Sequence, residues 1–227
     1  MIDRVPLLSI TRHFLTQLLL KKLVDKTTAC LLLMIVSPLI GVIALLIWVT
    51  MGRPLLFRQK RSGLNGRPFQ IIKFRTMSDK RDSVGRALPD EVRLTAVGRF
   101  LRAMSLDELP ELWNVLRGEM SLVGPRPLMA QYLERYSPEQ ARRLEVLPGI
   151  TGWAQIHGRN HLSWEQKFAL DVWYVDAWSL RLDFHILFET MLYVLRREGI
   201  RPSNCASVSE FMGSGSHAEA ERQLQCK

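Results

Sequence analysis

Twenty-six consecutive residues, Thr27 to Gly52, carry no charge, and Pro38 sits near the middle of that run. As one helix the run would be about 39 Å long, more than the roughly 30 Å hydrocarbon core of a bilayer requires. Proline lacks a backbone donor and its ring clashes with the carbonyl four residues back, so a kink is expected at Ser37-Pro38. Each arm is then only about 18–20 Å long, too short to cross alone. A helix that enters, turns and leaves on the same side fits this geometry, and so does a spanning helix with a tolerated proline. The Ser37 hydroxyl is expected to bond a carbonyl near Leu33 and ease the break. Lys21, Lys22 and Lys26 precede the run, and Arg53, Arg58, Lys60 and Arg61 follow it. The positive-inside rule gives a spanning helix asymmetric flanks. Two basic flanks suit both ends on the cytoplasmic face.

Beyond residue 52 about 150 residues precede a polar C-terminus, enough for one domain with its own core. The net charge of +9 points to anionic partners: lipid headgroups, phosphates or nucleic acid. Cys30, Cys205 and Cys226 have neither metal-ligand nor disulfide-framework spacing, which fits a reducing compartment. The apolar run starts too late and is too long for a cleaved signal peptide.

Pro6–Leu20 reads as an amphipathic helix lying at the membrane interface and feeding the apolar run. Leu55–Arg61 and Phe69–Thr76 are strand-like, with turn chemistry at Leu64-Asn65-Gly66 between them. Lys80–Pro89 reads as a loop. Arg93–Met104, Leu109–Leu116 and Leu128–Tyr136 read as helices, separated by a loop at Gly118–Pro127. Pro148–Asn160 reads as another loop, followed by amphipathic helices at Trp164–Trp178 and Leu182–Arg196. After Pro202 a mobile tail is expected, with a short helix near Ala218–Gln225. Trp48 falls near the end of the apolar run, where an interfacial aromatic belongs. Trp153, Trp164, Trp173 and Trp178 divide between core and headgroup level, core being the default for any one of them.

The sharpest candidate for chemistry is Ser105-Leu106-Asp107-Glu108-Leu109-Pro110-Glu111-Leu112-Trp113, with two adjacent carboxylates at a helix start in a basic chain. One can attack phosphorus while the other holds a divalent cation against phosphate oxygens. The same pattern, Ser105 followed by Glu108, is also that of a capping box. Pro110 weakens the cap, because it falls where a helical donor is needed. Gly124-Pro125-Arg126-Pro127 fixes the backbone around one arginine, whose guanidinium can grip a phosphate or simply face solvent at a rigid turn. Lys73 and Arg75 share a face if extended, either as phosphate ligands or as an ordinary basic sheet surface. Pro148-Gly149-Ile150-Thr151-Gly152-Trp153 lets backbone approach a phosphate or nucleotide, or is a structured loop. His157 and His161 lack a third ligand, which argues against zinc. No phosphate-cradling glycine motif and no nucleophile elbow occurs.

At these residues the chain resembles the bacterial sugar transferases, specifically the small monotopic polyprenyl-phosphate phosphoglycosyl transferases of the bacillosaminyl-phosphate transferase type. The resemblance covers about Lys21 to Ile200. It rests on an ordered set: Lys22-Leu23-Val24-Asp25, Ser37-Pro38, Lys73-Phe74-Arg75-Thr76-Met77, Leu94-Thr95-Ala96-Val97-Gly98, Ser105–Pro110, Gly124–Pro127 and Pro148–Gly152. It implies transfer of a sugar-1-phosphate from a UDP-sugar to undecaprenyl phosphate, releasing UMP, as the first membrane step of glycoprotein, O-antigen, capsule or exopolysaccharide synthesis. By resemblance Asp107 is the nucleophile that carries the phosphosugar, and Glu108 binds Mg²⁺. Lys73, Arg102, Arg126 and Arg159 match basic positions assigned to phosphates. The break at Ser37-Pro38 becomes a re-entrant turn. That places the catalytic domain on the cytoplasmic face of the bacterial inner membrane, against anionic lipid.

The expected fold is α+β and mainly α, in three parts. Residues 1–52 form interfacial and re-entrant membrane helices. Residues 53–200 form a compact catalytic domain with a small β-hairpin and amphipathic interfacial helices. Residues 201–227 form a polar tail. A UDP-N-acetylated or diacetamido sugar is the default donor, beside galactose and glucose; no nucleic-acid partner is expected, and the oligomeric state is left open. Two other readings compete. A membrane-anchored basic module binding anionic lipid or nucleic acid would leave the acidic pair as a helix cap. A phosphatase using the same carboxylates would need water, not a polyprenol, as acceptor.

Overall fold

The computed structural model describes residues 7–158, 162–196 and 210–213. The expected interfacial and membrane helices form one element, α1 (Leu7–Met51), with Pro38 inside it. Thr16–Met51 is long and apolar enough to cross a membrane by length and composition. Pro38 has no N–H, so the Met34 carbonyl loses its helical donor, and the Ser37 hydroxyl replaces it at 2.9 Å. The acceptor is therefore Met34, one residue beyond the expected Leu33.

A stripe along α1 packs on the rest of the chain: Ala29, Leu33, Val36, Ile40, Ile43, Ile47 and Met51. These residues recur every three or four positions, as one helix face must. Ile43 and Ile47 are fully buried, each contributing about 1.5–3 kcal/mol. Leu31, Ile35, Val42, Leu45, Trp48 and Val49 stay exposed. Both ends of this stripe are tied down. At one end Lys21 donates to the Val123 carbonyl at 3.1 Å and pairs with Asp183. Asp25 accepts from the Ser121 hydroxyl at 2.7 Å and the Leu122 amide at 3.3 Å. At the other end the Arg75 guanidinium donates to the carbonyls of Met51, Gly52 and Arg53, which helix ends leave without internal partners.

The hairpin falls as expected, with β1 (Leu56–Ser62) antiparallel to β2 (Pro68–Phe74), pairing Leu56 with Phe74 and Ser62 with Pro68. Its turn holds Asn65 and Gly66 at positive φ, the conformation that Asn-Gly favours. The helix expected over Arg93–Met104 is divided into α2 (Asp90–Arg93) and α3 (Ala96–Ala103). Thr95 divides them: its backbone is extended and its hydroxyl caps α3, accepting from the Gly98 amide at 2.9 Å. Helix α4 (Glu111–Arg117) ends at Gly118, in the left-handed conformation.

Two expected loops each hide a strand. β3 (Ser121–Val123) pairs in parallel with β4 (Gly149–Thr151), Ser121 opposite Gly149 and Val123 opposite Thr151. Three residues are too few to show alternation, and β3 is buried throughout. Between them the expected Leu128–Tyr136 helix is a 3₁₀ segment at Ala130–Arg135, followed by α5 (Pro138–Ala141). After β4 come α6 (Trp153–Ile156), α7 (Trp164–Ala177) and α8 (Leu180–Arg196). Ser163 and Gln166 close a capping box at the start of α7. The main core gathers Ile71, Leu112, Val115, Met120, Leu122, Val123, Ile156, Tyr174 and Ile186 around Ala29.

Trp48 is exposed at the end of the apolar run, while Trp164 is buried. Trp153 stacks on Trp173 with centroids 4.5 Å apart, and Trp178 donates to Asp183 at 3.2 Å. The expected polar tail requires a correction at Glu210–Gly213, because Phe211 is completely buried among aromatic rings. The helix expected near Ala218–Gln225 lies outside the described residues.

Candidate active site

The acidic pair sits on a single 3₁₀ turn, Leu106–Glu108, between α3 and α4. The capping-box alternative fails here. Ser105 has left-handed backbone (φ 54°) and its side chain accepts no capping bond. Such a conformation is uncommon for a residue other than glycine, and its strain is of order 1 kcal/mol or more. The Glu108 carboxylate turns instead to the hairpin and the proline loop. Lys73 Nζ lies 2.6 Å from Glu108 Oε1, and Arg126 Nη2 pairs with the same oxygen. Lys73 also lies 3.0 Å from Glu111 Oε1, as an ion pair without hydrogen-bond geometry. Lys73, Asp107, Glu108 and Arg126, singled out separately in the sequence, thus meet in one place.

Each is held from behind. Asn114 on α4 is fully buried; its Oδ1 accepts from the Ile72 amide at 3.1 Å and its Nδ2 donates to the Gln70 carbonyl at 2.7 Å. These bonds occupy a free edge of β2 and fix Lys73 against α4. Arg126 is fixed by backbone packing. The Gly124 amide donates to the Thr151 carbonyl at 2.9 Å, and the Gly149 amide to the Pro125 carbonyl at 3.0 Å. A Cβ on Gly124, Gly149 or Gly152 would fall 2.1–2.3 Å from backbone of the facing segment, which is why only glycine serves there. The Pro148–Gly152 segment therefore approaches another loop, with its backbone against Gly124-Pro125. Arg143, on the turn Arg142–Leu144, donates to the Arg126 carbonyl at 2.7 Å and to Asp171 at 2.7 and 3.0 Å.

Arg102 is exposed at the end of α3, and its Nε donates to the Thr76 hydroxyl at 3.1 Å. Its charge also acts on Asp107. Arg75 does not join the site, since it caps α1. Arg159 and His161 lie outside the described residues. Ser37 and Pro38 lie exposed in α1, where the Ser37 hydroxyl bonds the Met34 carbonyl. Sequence reasoning placed Glu111 inside the candidate stretch without giving it a role, and it missed Arg61, Asn114, Arg143 and Asp171 as site residues. A signal for Glu111 existed: it follows Asp107 by four and Glu108 by three, so a helical stretch brings all three acids together.

Burial pushes the Asp107 carboxyl above its ordinary range and the charge of Glu108 adds to this, while Lys73, Arg102 and Arg126 oppose it. Burial alone would raise Glu108 too, but the charges and hydrogen bonds of Arg126 and Lys73 outweigh it and hold this carboxyl far below the usual range. Glu111, only 1% exposed, is pushed up to about 7 by burial and by the Glu108 charge. Near neutrality Glu108 therefore carries the charge and Glu111 tends to carry the proton, as a coupled pair. The Arg126 guanidinium is held charged chiefly by Glu108. Arg61, below the proline loop, is lowered by burial and then by Arg126. Such opposed pairs of carboxyls are a hallmark of acid–base and phosphoryl chemistry.

Among the described residues no group of three or more His, Cys, Asp or Glu side chains is arranged to hold a metal by itself. That does not disfavour Mg²⁺, which usually takes one or two carboxylates and completes its shell with water and substrate phosphates. Both close contacts of Glu108 fall on Oε1, which leaves its other oxygen for such a partial site.

A basic clamp around a buried, adjacent carboxylate pair, beside a long exposed apolar helix, is an arrangement suited to phosphate chemistry at a membrane surface. Residues 16–197 match the bacterial sugar transferase family. The chain is 55% identical over 198 residues to the uncharacterized sugar transferase EpsL of Bacillus subtilis, covering 87% of this chain and 98% of that protein. It is 44% identical over 181 residues to a UDP-glucose:undecaprenyl-phosphate glucose-1-phosphate transferase of Caulobacter vibrioides, covering 75% of this chain and 68% of that one. It is 40% identical over 200 residues to the undecaprenyl-phosphate galactose phosphotransferase of Salmonella typhimurium, covering 79% of this chain and 41% of that enzyme. The chain belongs to the bacterial sugar transferase family and is a phosphoglycosyl transferase.

Proposed function

We propose that the enzyme moves a sugar-1-phosphate from a UDP-sugar to undecaprenyl phosphate through a covalent phosphosugar on Asp107. The observation that carries this reading is the Asp107–Glu108 turn. Its Glu108 carboxylate pairs with Lys73 and Arg126, whose charges also act on Asp107, and no side chain of the turn caps a helix. The relatives named above for UDP-glucose, galactose and undecaprenyl phosphate supply the substrate classes. Donors worth testing are therefore UDP-glucose and UDP-galactose beside the N-acetylated sugars.

An Asp107 oxygen attacks the sugar-bearing phosphorus. The bond from that phosphorus to the bridging oxygen breaks, and UMP leaves with the electron pair. An oxygen of undecaprenyl phosphate then attacks the same phosphorus and the Asp107 carboxylate is released, giving undecaprenyl-diphosphate-sugar. The sugar C1–O bond is untouched throughout, so anomeric configuration is retained. Lys73 and Arg126, with Arg102 at the edge, neutralise the phosphoryl oxygens, which is the main contribution proteins make to such transfers. Substrate phosphate entering the clamp takes over cations that Glu108 holds in its absence. Glu108, with substrate oxygens, would hold Mg²⁺, which supplies further charge neutralisation.

We further propose that α1 re-enters on the cytoplasmic face of the inner membrane, with its exposed face in lipid. A stripe reaching from Asp25 to Met51 packs on the catalytic part of the chain, and both ends are tied to it through Asp183 and Arg75. A spanning helix has to present its middle third to lipid or to other apolar helices. Incubation with a UDP-sugar alone should leave one sugar-phosphate adduct on the intact protein by mass spectrometry, lost on adding undecaprenyl phosphate. Turnover to UMP without any adduct, at every donor tried, would remove the covalent route.

A further inference from the structure

Phe211 is wholly buried although serine, glycine and alanine crowd the sequence on both sides of it. It enters a pocket of rings: Phe168, Trp164, Tyr132 and Tyr136 have centroids 4.9, 5.6, 5.8 and 6.0 Å away. Its flanks are pinned by polar contacts. Arg135 donates to the Phe211 carbonyl and lies 2.9 Å from Glu210 Oε1, which also accepts from Gln131 at 2.9 Å. Two rings of this pocket also hold Arg143. Its guanidinium carbon lies 5.6 Å from the Phe168 centroid and 5.9 Å from that of Tyr136. Arg143 in turn donates to the Arg126 carbonyl at 2.7 Å. Contacts therefore run without interruption from the C-terminal segment to the backbone of the arginine that grips Glu108.

We propose that Glu210–Gly213 is a clip that sets the aim of Arg126 toward the donor diphosphate, acting through Phe168, Tyr136 and Arg143. Phe211 touches no reacting atom and is a positioning residue; its role rests on the transfer reading above. Filling the pocket leaves the Tyr136 and Phe168 rings one packed arrangement, and they in turn leave the Arg143 guanidinium one seat. Without Phe211 the rings relax into the vacated volume. Arg143 then shifts on Asp171, and the Arg126 backbone follows it.

The test is a double-mutant cycle on the full-length enzyme in detergent, with UMP release measured against UDP-glucose and UDP-N-acetylglucosamine and saturating undecaprenyl phosphate. Phe211→Leu should raise KM for the donor about fivefold in the wild-type background but less than about twofold in Arg126→Lys, because coupled residues are not additive. A merely structural role reduces the active fraction, lowering kcat with KM unchanged, and that result overturns the clip. An equal rise of KM in both backgrounds also overturns it. If Phe211→Leu does not fold, Phe211→Met, whose flexible thioether adapts to an irregular gap, takes its place in the same cycle. Wild-type enzyme that releases no UMP from any donor refutes the transfer reading itself, before any variant is compared.

Discussion

Glu111→Gln should change how stability depends on pH. Glu111 is buried beside Glu108 and its carboxyl is pushed up to about 7 from 4.5. Between those values the folded protein keeps a proton that the unfolded chain releases. The unfolded state then binds fewer protons, so stability falls as pH rises from about 4.5 to about 7 and is level above that. A shift of roughly 2.5 units corresponds to about 3 kcal/mol, or roughly 6–12 °C in Tm for a chain of this size. Glutamine removes this slope. It also adds an offset, because its amide loses the ion pair with Lys73, but that offset hardly varies with pH. Glu108 contributes the opposite slope, and only at lower pH, because its folded value is depressed. The assay is thermal unfolding of wild type and variant in detergent from pH 5 to pH 8. The difference in stability between them should move in favour of glutamine by about 2–3 kcal/mol across that range, the rest of the slope lying below pH 5. Parallel curves would show that Glu111 has no raised value and that the clamp is organised differently.

Asp107→Asn should abolish both the phosphosugar adduct and UMP release, since an amide is no substitute for the carboxylate nucleophile. Its Tm should stay level or rise, because burial disfavours the charge it removes; an active, adduct-forming variant would sink the covalent mechanism. Arg126→Lys keeps charge but loses the planar pair of donors, so kcat/KM should fall about tenfold to a hundredfold in a folded enzyme; full activity would return Arg126 to a solvent-facing turn. Asp183→Ala leaves the buried Lys21 only the more distant Asp25 carboxylate, at 4.0 Å, and should cost about 3 kcal/mol, read by chemical unfolding; a loss below about 1 kcal/mol would mean α1 is not anchored there. Cysteines introduced beside Lys22 and at the C-terminus, in a background lacking native cysteines, should both react with impermeant reagent from the cytoplasmic side alone. Labelling near Lys22 from the periplasm would show that α1 spans.

What the sequence disclosed was charge, and what it withheld was burial. Asp107, Glu108 and Arg126 are legible because each stands in a short motif whose neighbours, proline or a second acid, restrict what it can do, and Lys73 because strand alternation sets it on one face with Arg75. The hairpin is legible for the same reason, through Asn65-Gly66. Ser105 shows where this logic stops: its pattern with Glu108 is that of a capping box, and only the backbone angle of Ser105 excludes the cap. Glu111 belongs to the same segment, yet its proton depends on packing against Lys73 and Glu108, which spacing hardly suggests. Strands β3 and β4 are each three residues of backbone pairing, below the length at which alternation can be read. The glycines at Gly149 and Gly152 fit a backbone that approaches a phosphate and a structured loop equally well, because both uses need backbone without a side chain; the neighbour against them is Gly124 of the chain itself. Phe211 had no local signal at all, since one ring in a polar stretch is ordinary until a pocket built from two distant segments, Leu128–Tyr136 and the start of α7, accepts it. The common cause is that a cation or carboxylate announces a function locally, whereas the environment that gives it a pKa and a direction is assembled from elements tens of residues away.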